Sequence, residues 1–209
     1  MAGQIPDKTY PISMEVQGPM GMFARPDSGS ELTSYCVPPK SAAKGMFESI
    51  LYDPRVEVQP QFVRVCRMPH FVDAGISTAF SPLRPPHSQN NGYSLQRRMI
   101  ALSHPHFQLY AVARQIKPDK INHGHSYQGR FNRRIKMGRS FRTVSLGTSD
   151  CPATYFGPWR DETEVCSDFN TTIPLMLVHP FDQNQNGQSF SPRWARNAKI
   201  TQGVMYYDQ

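Results

Sequence analysis

Apolar and polar positions alternate from Tyr10 to Val16 (YPISMEV), and that period of two predicts a first strand. Gly18-Pro19-Met20-Gly21 then loosens the chain, Met22-Phe23 resumes it, and residues 25–30 (RPDSGS) carry turn chemistry. After a short extended piece at Ser34–Val37 the period changes. Ala42, Ala43, Met46, Phe47, Ile50 and Leu51 fall on one face of a helix. Pro38 and Pro39 prevent an earlier start, Ser41 is placed to cap the helix, and Asp53-Pro54 ends it. Gly45, inside the helix, predicts a close backbone approach.

Val56–Val58 and Gln61–Val65 read as strands. The stretch from Pro69 to Asn91 is polar and too long for a plain connection. It is expected to be functional, a protruding hairpin or mobile. Gln96–Leu102 and Phe107–Ala113 are strands around a turn at Ser103–His106. A helix is expected over Ser126–Met137, closed by Gly138, and a strand over Ser140–Leu146. Ala153–Phe156, Ile173–Val178 and Val204–Tyr207 predict a small C-terminal antiparallel sheet. The coarse order, βαββαβ with insertions, points to an α+β chain with a ferredoxin-like (RRM-like) core.

Composition changes this picture little. Of 209 residues, 38% are hydrophobic and 19% charged, with 19 prolines, which suits strands and loops better than a helical bundle. The net charge of +7 favours a polyanionic partner, although an ordinary basic protein would show the same. Cys36, Cys66, Cys151 and Cys166 form no metal-binding spacing. MAGQIPDKTY has no apolar core, and no run is long enough to span a bilayer. A cytoplasmic protein with reduced thiols, no membrane contact, no metal and no cofactor is expected. The two His-x-His pairs, His104/His106 and His123/His125, would face one way on a strand and are expected at the surface or facing RNA.

The candidate chemistry is cationic. A helix start with free N–H groups, bracketed by Lys40 and Lys44 and beginning at Ser41, can hold an anion, and Tyr35 beside it can stack on a base or meet a phosphate. Equally, Ser41 can simply cap the helix while the lysines stay solvated. Arg97-Arg98 forms a second cluster. Arg130, Arg133, Arg134, Lys136, Arg139 and Arg142 form the third: six cations in thirteen residues with no acid between them, of which 130, 133 and 134 share a helical face. That is the strongest sign of a phosphate-rich partner. Arg25, Arg64 and Arg67 complete the expected RNA-binding set. No nucleophile elbow, zinc motif or phosphate loop is present. The one plausible catalysis is metal-independent RNA cleavage, with Tyr52, His123, His125, Tyr127 or Lys120 supplying the acid, base or cation; binding alone would use the same groups.

Four stretches carry a family resemblance: MEVQGPMGMFARP, ELTSYCVPPKSAAKGMFESILYDP, YSLQRRMIALSHPHFQLYA and FNRRIKMGRSFRTVSLGTSDCPATY. In order and spacing, from about Met14 to Tyr155, they resemble the Cas-five (Cas5) family of CRISPR-associated proteins, in its type I-C branch. The resemblance implies a ferredoxin-like domain over residues 1–148 with a protruding β-hairpin thumb at about 69–95, and a β-rich region over 149–209. It implies that the chain binds the 5′ handle of a CRISPR RNA and caps a Cascade-like surveillance complex. Its partners would be a Cas-seven backbone subunit, a large subunit and, through the complex, target DNA.

Type I-C relatives often cut precursor RNA with a tyrosine at the end of the first helix and a Lys-His pair before the basic helix. Here Leu51 aligns with that tyrosine, and Tyr52, one step along a helix, points about 100° away. The Lys-His pair falls on Ser126-Tyr127 or on His125-Ser126, and the family's Leu-Gly-x-Arg-Glu becomes LGTSD. Pro39 also stands where the family has threonine. A binding subunit that relies on a separate processing nuclease is therefore expected. The alternative is a metal-independent endoribonuclease using Tyr52 with His123 or His125.

Overall fold

The computed structural model describes residues 8–29, 31–80, 94–116, 122–181 and 190–207. The described chain is mixed α+β and mostly sheet. In order it runs β1 (Thr9–Gln17), β2 (Met20–Gly21), β3 (Leu32–Thr33), α1 (Lys40–Ile50), β4 (Val56–Val65), β5 (His70–Phe80), β6 (Ser94–Ser103), β7 (His106–Gln115), α2 (His123–Lys136), β8 (Tyr155–Gly157), β9 (Thr171–Phe181), β10 (Phe190–Ile200) and β11 (Val204–Tyr206).

The main sheet has the order β11-β4-β7-β1-β8, and every neighbouring pair is antiparallel. One face is apolar because alternate residues point to it: Ile12, Met14 and Val16 from β1, Leu109, Ala111 and Ala113 from β7, and Val58, Val63 and Val65 from β4 are all buried. The helices cover this face. Ala43, Met46, Phe47 and Ile50 of α1 and Tyr127, Phe131 and Ile135 of α2 are buried, and the Phe47 and Phe131 rings meet at 5.7 Å. Burying one such ring is worth roughly 2–3 kcal/mol, so this layer dominates the stability.

Several expectations are met and several are corrected. The two short strands expected around Pro60 are one strand, β4, which passes the proline through a register shift between Pro60 and Phe62. The excursion after Pro69 is a hairpin: β5 pairs antiparallel with β6, which also pairs β2 and β3; residues 81–93 lie outside the described residues.

The strand expected at Ser140–Leu146 does not form. Glycines with positive φ bound the segment, Gly138 at 60° and Gly147 at 99°, and the Phe141 and Arg142 N–H groups both donate to the Ser49 carbonyl. The segment therefore runs against α1, while β8 takes the sheet edge beside β1. A side chain at Gly147 would meet the Met22 carbonyl, so only glycine fits there.

The three runs expected to form one C-terminal sheet separate. β8 and β11 close the two edges of the main sheet, and β9 pairs with β10 as a two-stranded antiparallel sheet. β10 was not legible in the sequence. Pro192 and Asn197, the latter at φ 55°, interrupt its alternation.

Among the described residues no helix is long and apolar enough to cross a membrane.

Candidate nucleic-acid interface

The helix start at Lys40 is not built as expected. Pro39, with an extended backbone, occupies the cap position of α1 and makes no side-chain cap, so Ser41 lies inside the first turn and is exposed. Lys44 lies 3.9 Å from Glu48, one turn on, and that exposed pair is weak. Lys40, Ser41 and Lys44 line a shallow cleft of about 330 Å³, which Glu48 and Glu57 line as well, so its charge is mixed. A β-carbon at Gly45 would touch nothing within 4 Å, so the close approach expected of it is absent and α1 is open to the outside there.

Tyr35 is part of the core and is unavailable for stacking. It is 2% exposed, and its hydroxyl accepts the Leu177 N–H at 3.2 Å. Arg25 lies over its ring at 5.4 Å while holding Asp27 with two hydrogen bonds. Arg64 lies 4.8 Å from the Trp159 ring, and Arg98 is paired with Asp73 at 2.7 Å. The side chain of Arg97, and Lys120 altogether, lie outside the described residues. Arg67 is exposed in a cleft of about 230 Å³ with His104 and His106.

α2 begins earlier than expected, at His123. Asn122, which sequence reasoning passed over, caps it by accepting the His125 N–H at 3.0 Å. The His123/His125 pair is therefore on a helix, where residues two apart diverge. His123 is buried, and the exposed His125 meets the Tyr10 ring edge-on at 5.8 Å. His106 is not surface chemistry either, because its Nε2 is 2.9 Å from the Glu15 carboxylate. Tyr127 is buried, donates its hydroxyl to the Leu51 carbonyl at 2.7 Å, and is pushed well above the usual phenol range by burial. Tyr52 is 60% exposed but opens to a different cleft from Leu51. Among the described residues, neither histidine lines the cleft to which Tyr52 opens.

The basic cluster is gathered. Arg130, Arg133, Arg134 and Arg139 line one cleft of about 600 Å³ with Leu51 and Ser140, between the end of α1 and the end of α2. The fold uses two of these cations. Arg130 reaches Asp53 at 2.6 Å, and Arg134 donates to the Ile50 carbonyl at 2.8 Å, closing the last turn of α1. Asp53 also holds Arg55 at 2.9 Å, and those hydrogen bonds outweigh its burial, so its carboxyl lies well below the usual range. Arg133, Lys136 and Arg139 are exposed with no acidic partner among the described residues, and Arg142 is exposed over the Phe141 ring at 5.8 Å. Cations in a last helical turn also suit the helix dipole, but that effect reaches only Arg133, Arg134 and Lys136 and leaves Arg139 and Arg142, beyond the helix, unexplained.

Two features went unread in the sequence. The first is Glu15, fully buried on the sheet face opposite the helices. Its carboxylate accepts from His106, Gln108, Thr163 and the Arg160 N–H and guanidinium. Burial pushes its carboxyl up, but these hydrogen bonds more than offset that and hold it at about 2. The second is an aromatic layer on the same face. Phe62 and Tyr110 stack at 4.9 Å beside Trp159 and Tyr206. The alternation of β4 and β7 carried that signal at Phe62 and Tyr110. For Glu15 it was a lone carboxylate inside an apolar run.

Residues 12–169 match the family described as CRISPR-associated protein (Cas_Cas5). The chain is 29% identical over 161 residues to the CRISPR pre-crRNA endoribonuclease Cas5d of Thermus thermophilus; the match takes in 70% of this chain and 63% of that protein's length. Solved structures resemble it as well. A CRISPR-associated protein superposes with a TM-score of 0.69 at 18% identity, covering 98% of this chain and 94% of the other. A functionally uncharacterized protein from Streptococcus mutans gives 0.66 at 14%, covering 95% and 92%. A chain of a CRISPR RNA-guided surveillance complex gives 0.52 at 14%, covering 94% and 91%. At these identities the structural likeness speaks for the fold alone.

Proposed function

The chain belongs to the CRISPR-associated Cas5 family, and from that premise we propose that it is a CRISPR RNA-binding subunit of a type I surveillance complex. It would hold the 5′ handle of the guide and cap the backbone of a cytoplasmic assembly. A Cas-seven backbone subunit and a large subunit would be its neighbours, and target DNA would be met through the complex. Sequence specificity then lies in guide pairing, while the protein grips backbone and shape. The order β4-β7-β1-β8, with α1 and α2 on one face, supports a ferredoxin-like core, and the β5–β6 hairpin is read as its thumb. The observation that carries the proposal is the arginine cleft: Arg133 and Arg139 sit exposed and acid-free beside the fixed Arg130 and Arg134.

The similarity to a pre-crRNA endoribonuclease supports a second reading, in which this chain cuts its own precursor RNA. It is the weaker one. Leu51 stands at the tyrosine position, Tyr127 and His123 are buried, and neither histidine lines the cleft to which Tyr52 opens.

The test is affinity across salt. Arg133→Ala combined with Arg139→Ala is expected to weaken binding of repeat-derived single-stranded RNA. It should also flatten the log K against log salt slope by about 1.4, two contacts at about 0.7 each. An unchanged slope would remove the cleft from the interface.

A further inference from the structure

A second cleft of about 610 Å³ adjoins the arginine cleft, and its lining is of another kind. Tyr52 and Phe141, 60% and 64% exposed, both line it, with Arg142 over the Phe141 ring at 5.8 Å. Gly45 lies in the same lining with open space where a side chain would stand. The two clefts meet along one wall. Leu51 lines the arginine cleft and Tyr52 the aromatic one; Ser140 lines the former and Phe141 the latter. That wall is fixed, because the Phe141 and Arg142 N–H groups both donate to Ser49 O at 2.8 and 3.0 Å.

We propose that Tyr52 and Phe141 form a base-stacking subsite for single-stranded RNA whose phosphates lie in the neighbouring arginine cleft. The inference rests on the RNA-binding reading above and deepens it. A single strand crossing the wall leaves phosphates beside Arg133 and Arg139 and turns a base onto the two rings. Stacking uses the π-face that every base has, and a guanidinium over one ring adds a cation–π contribution. The cleft's acid, Glu48, has Lys44 one turn away at 3.9 Å. Tyr52 acts here through its ring, not its hydroxyl, which separates this role from the catalytic one considered for it in the sequence.

The experiment uses repeat-derived RNA carrying 2-aminopurine at successive positions near its 5′ end, titrated with the full chain and its variants. At one position the unaltered chain is expected to quench the fluorescence. Tyr52→Ala and Phe141→Ala each abolish that quench and weaken binding about 10-fold, with unchanged thermal midpoints because both rings are exposed. Tyr52→Phe keeps both quench and affinity. Tight binding with the quench intact in both alanine variants overturns the subsite and leaves the RNA-binding reading standing; the cleft would then fit an apolar side chain of a partner. Transfer of the effect to Tyr206→Ala overturns it in favour of the sheet-face aromatics. Failure of the unaltered chain to bind the RNA overturns both readings.

Discussion

Glu15→Gln is expected to destabilise the fold by about 3 kcal/mol, a fall of roughly 6–12 °C in the thermal midpoint. The carboxylate is the acceptor for five groups. A glutamine offers one oxygen and turns an NH₂ toward donors, which leaves the Arg160 guanidinium without its partner. Arg160 is 31% exposed at its side chain, and water there keeps the loss at the low end for a broken buried pair. The effect depends on pH. The folded carboxyl sits at about 2, below the ordinary 4.5, so its contribution is complete above about 4.5 and is lost as pH falls toward 2. The gap in midpoint between the two proteins should therefore narrow below pH 4.5 and close near pH 2. A gap that stays constant through acid would show that Glu15 is not ionised in the way its partners require. The structural consequence is local: Trp159, whose indole N–H donates to Met14 O at 3.0 Å, and Arg160 hold the segment after β8 across the sheet face.

Asp53→Asn should produce two changes of opposite sense. Stability falls by about 2 kcal/mol, because Arg55 and Arg130 lose a shared carboxylate whose own side chain is only 3% exposed. The figure is modest because both arginines reach water. RNA affinity does not fall with it. Removing the acid beside the arginine cleft releases Arg130, and the salt slope should steepen by up to about 0.7, one further phosphate contact. Thermal melting and anisotropy titrations on the same preparation measure both. Weaker binding with a flatter slope would mean that Asp53 holds the cleft open, and that its geometry matters more than its charge.

Much of the scaffold was legible because single strands and helices announce themselves by period. The stripe Ala43, Met46, Phe47, Ile50 and the pair Phe131, Ile135 are the core faces of α1 and α2. The strands β1 and β7 follow their alternation, β6 forms where a strand was expected, and the basic cluster is gathered as its helical spacing implies. What failed depended on partners distant in sequence. Ser140–Leu146 has strand-like residues but is claimed by Ser49 on α1. Tyr35 reads as a surface ring beside a turn, yet β9 covers it and meets its hydroxyl. Arg130 reads as a phosphate ligand, but Asp53, from the turn between α1 and β4, already holds it. Charge counted along the sequence cannot show which cations the fold has already engaged.

The proposed role of this chain is to grip guide RNA without cutting it. The most direct measurement incubates the purified protein alone with labelled repeat RNA from its own locus in EDTA, resolved on native and denaturing gels. A shifted band on the native gel and intact RNA on the denaturing one are expected. A single cut that leaves a short 5′ handle would contradict it and would mark a catalytic site rearranged from the family's tyrosine and Lys-His positions.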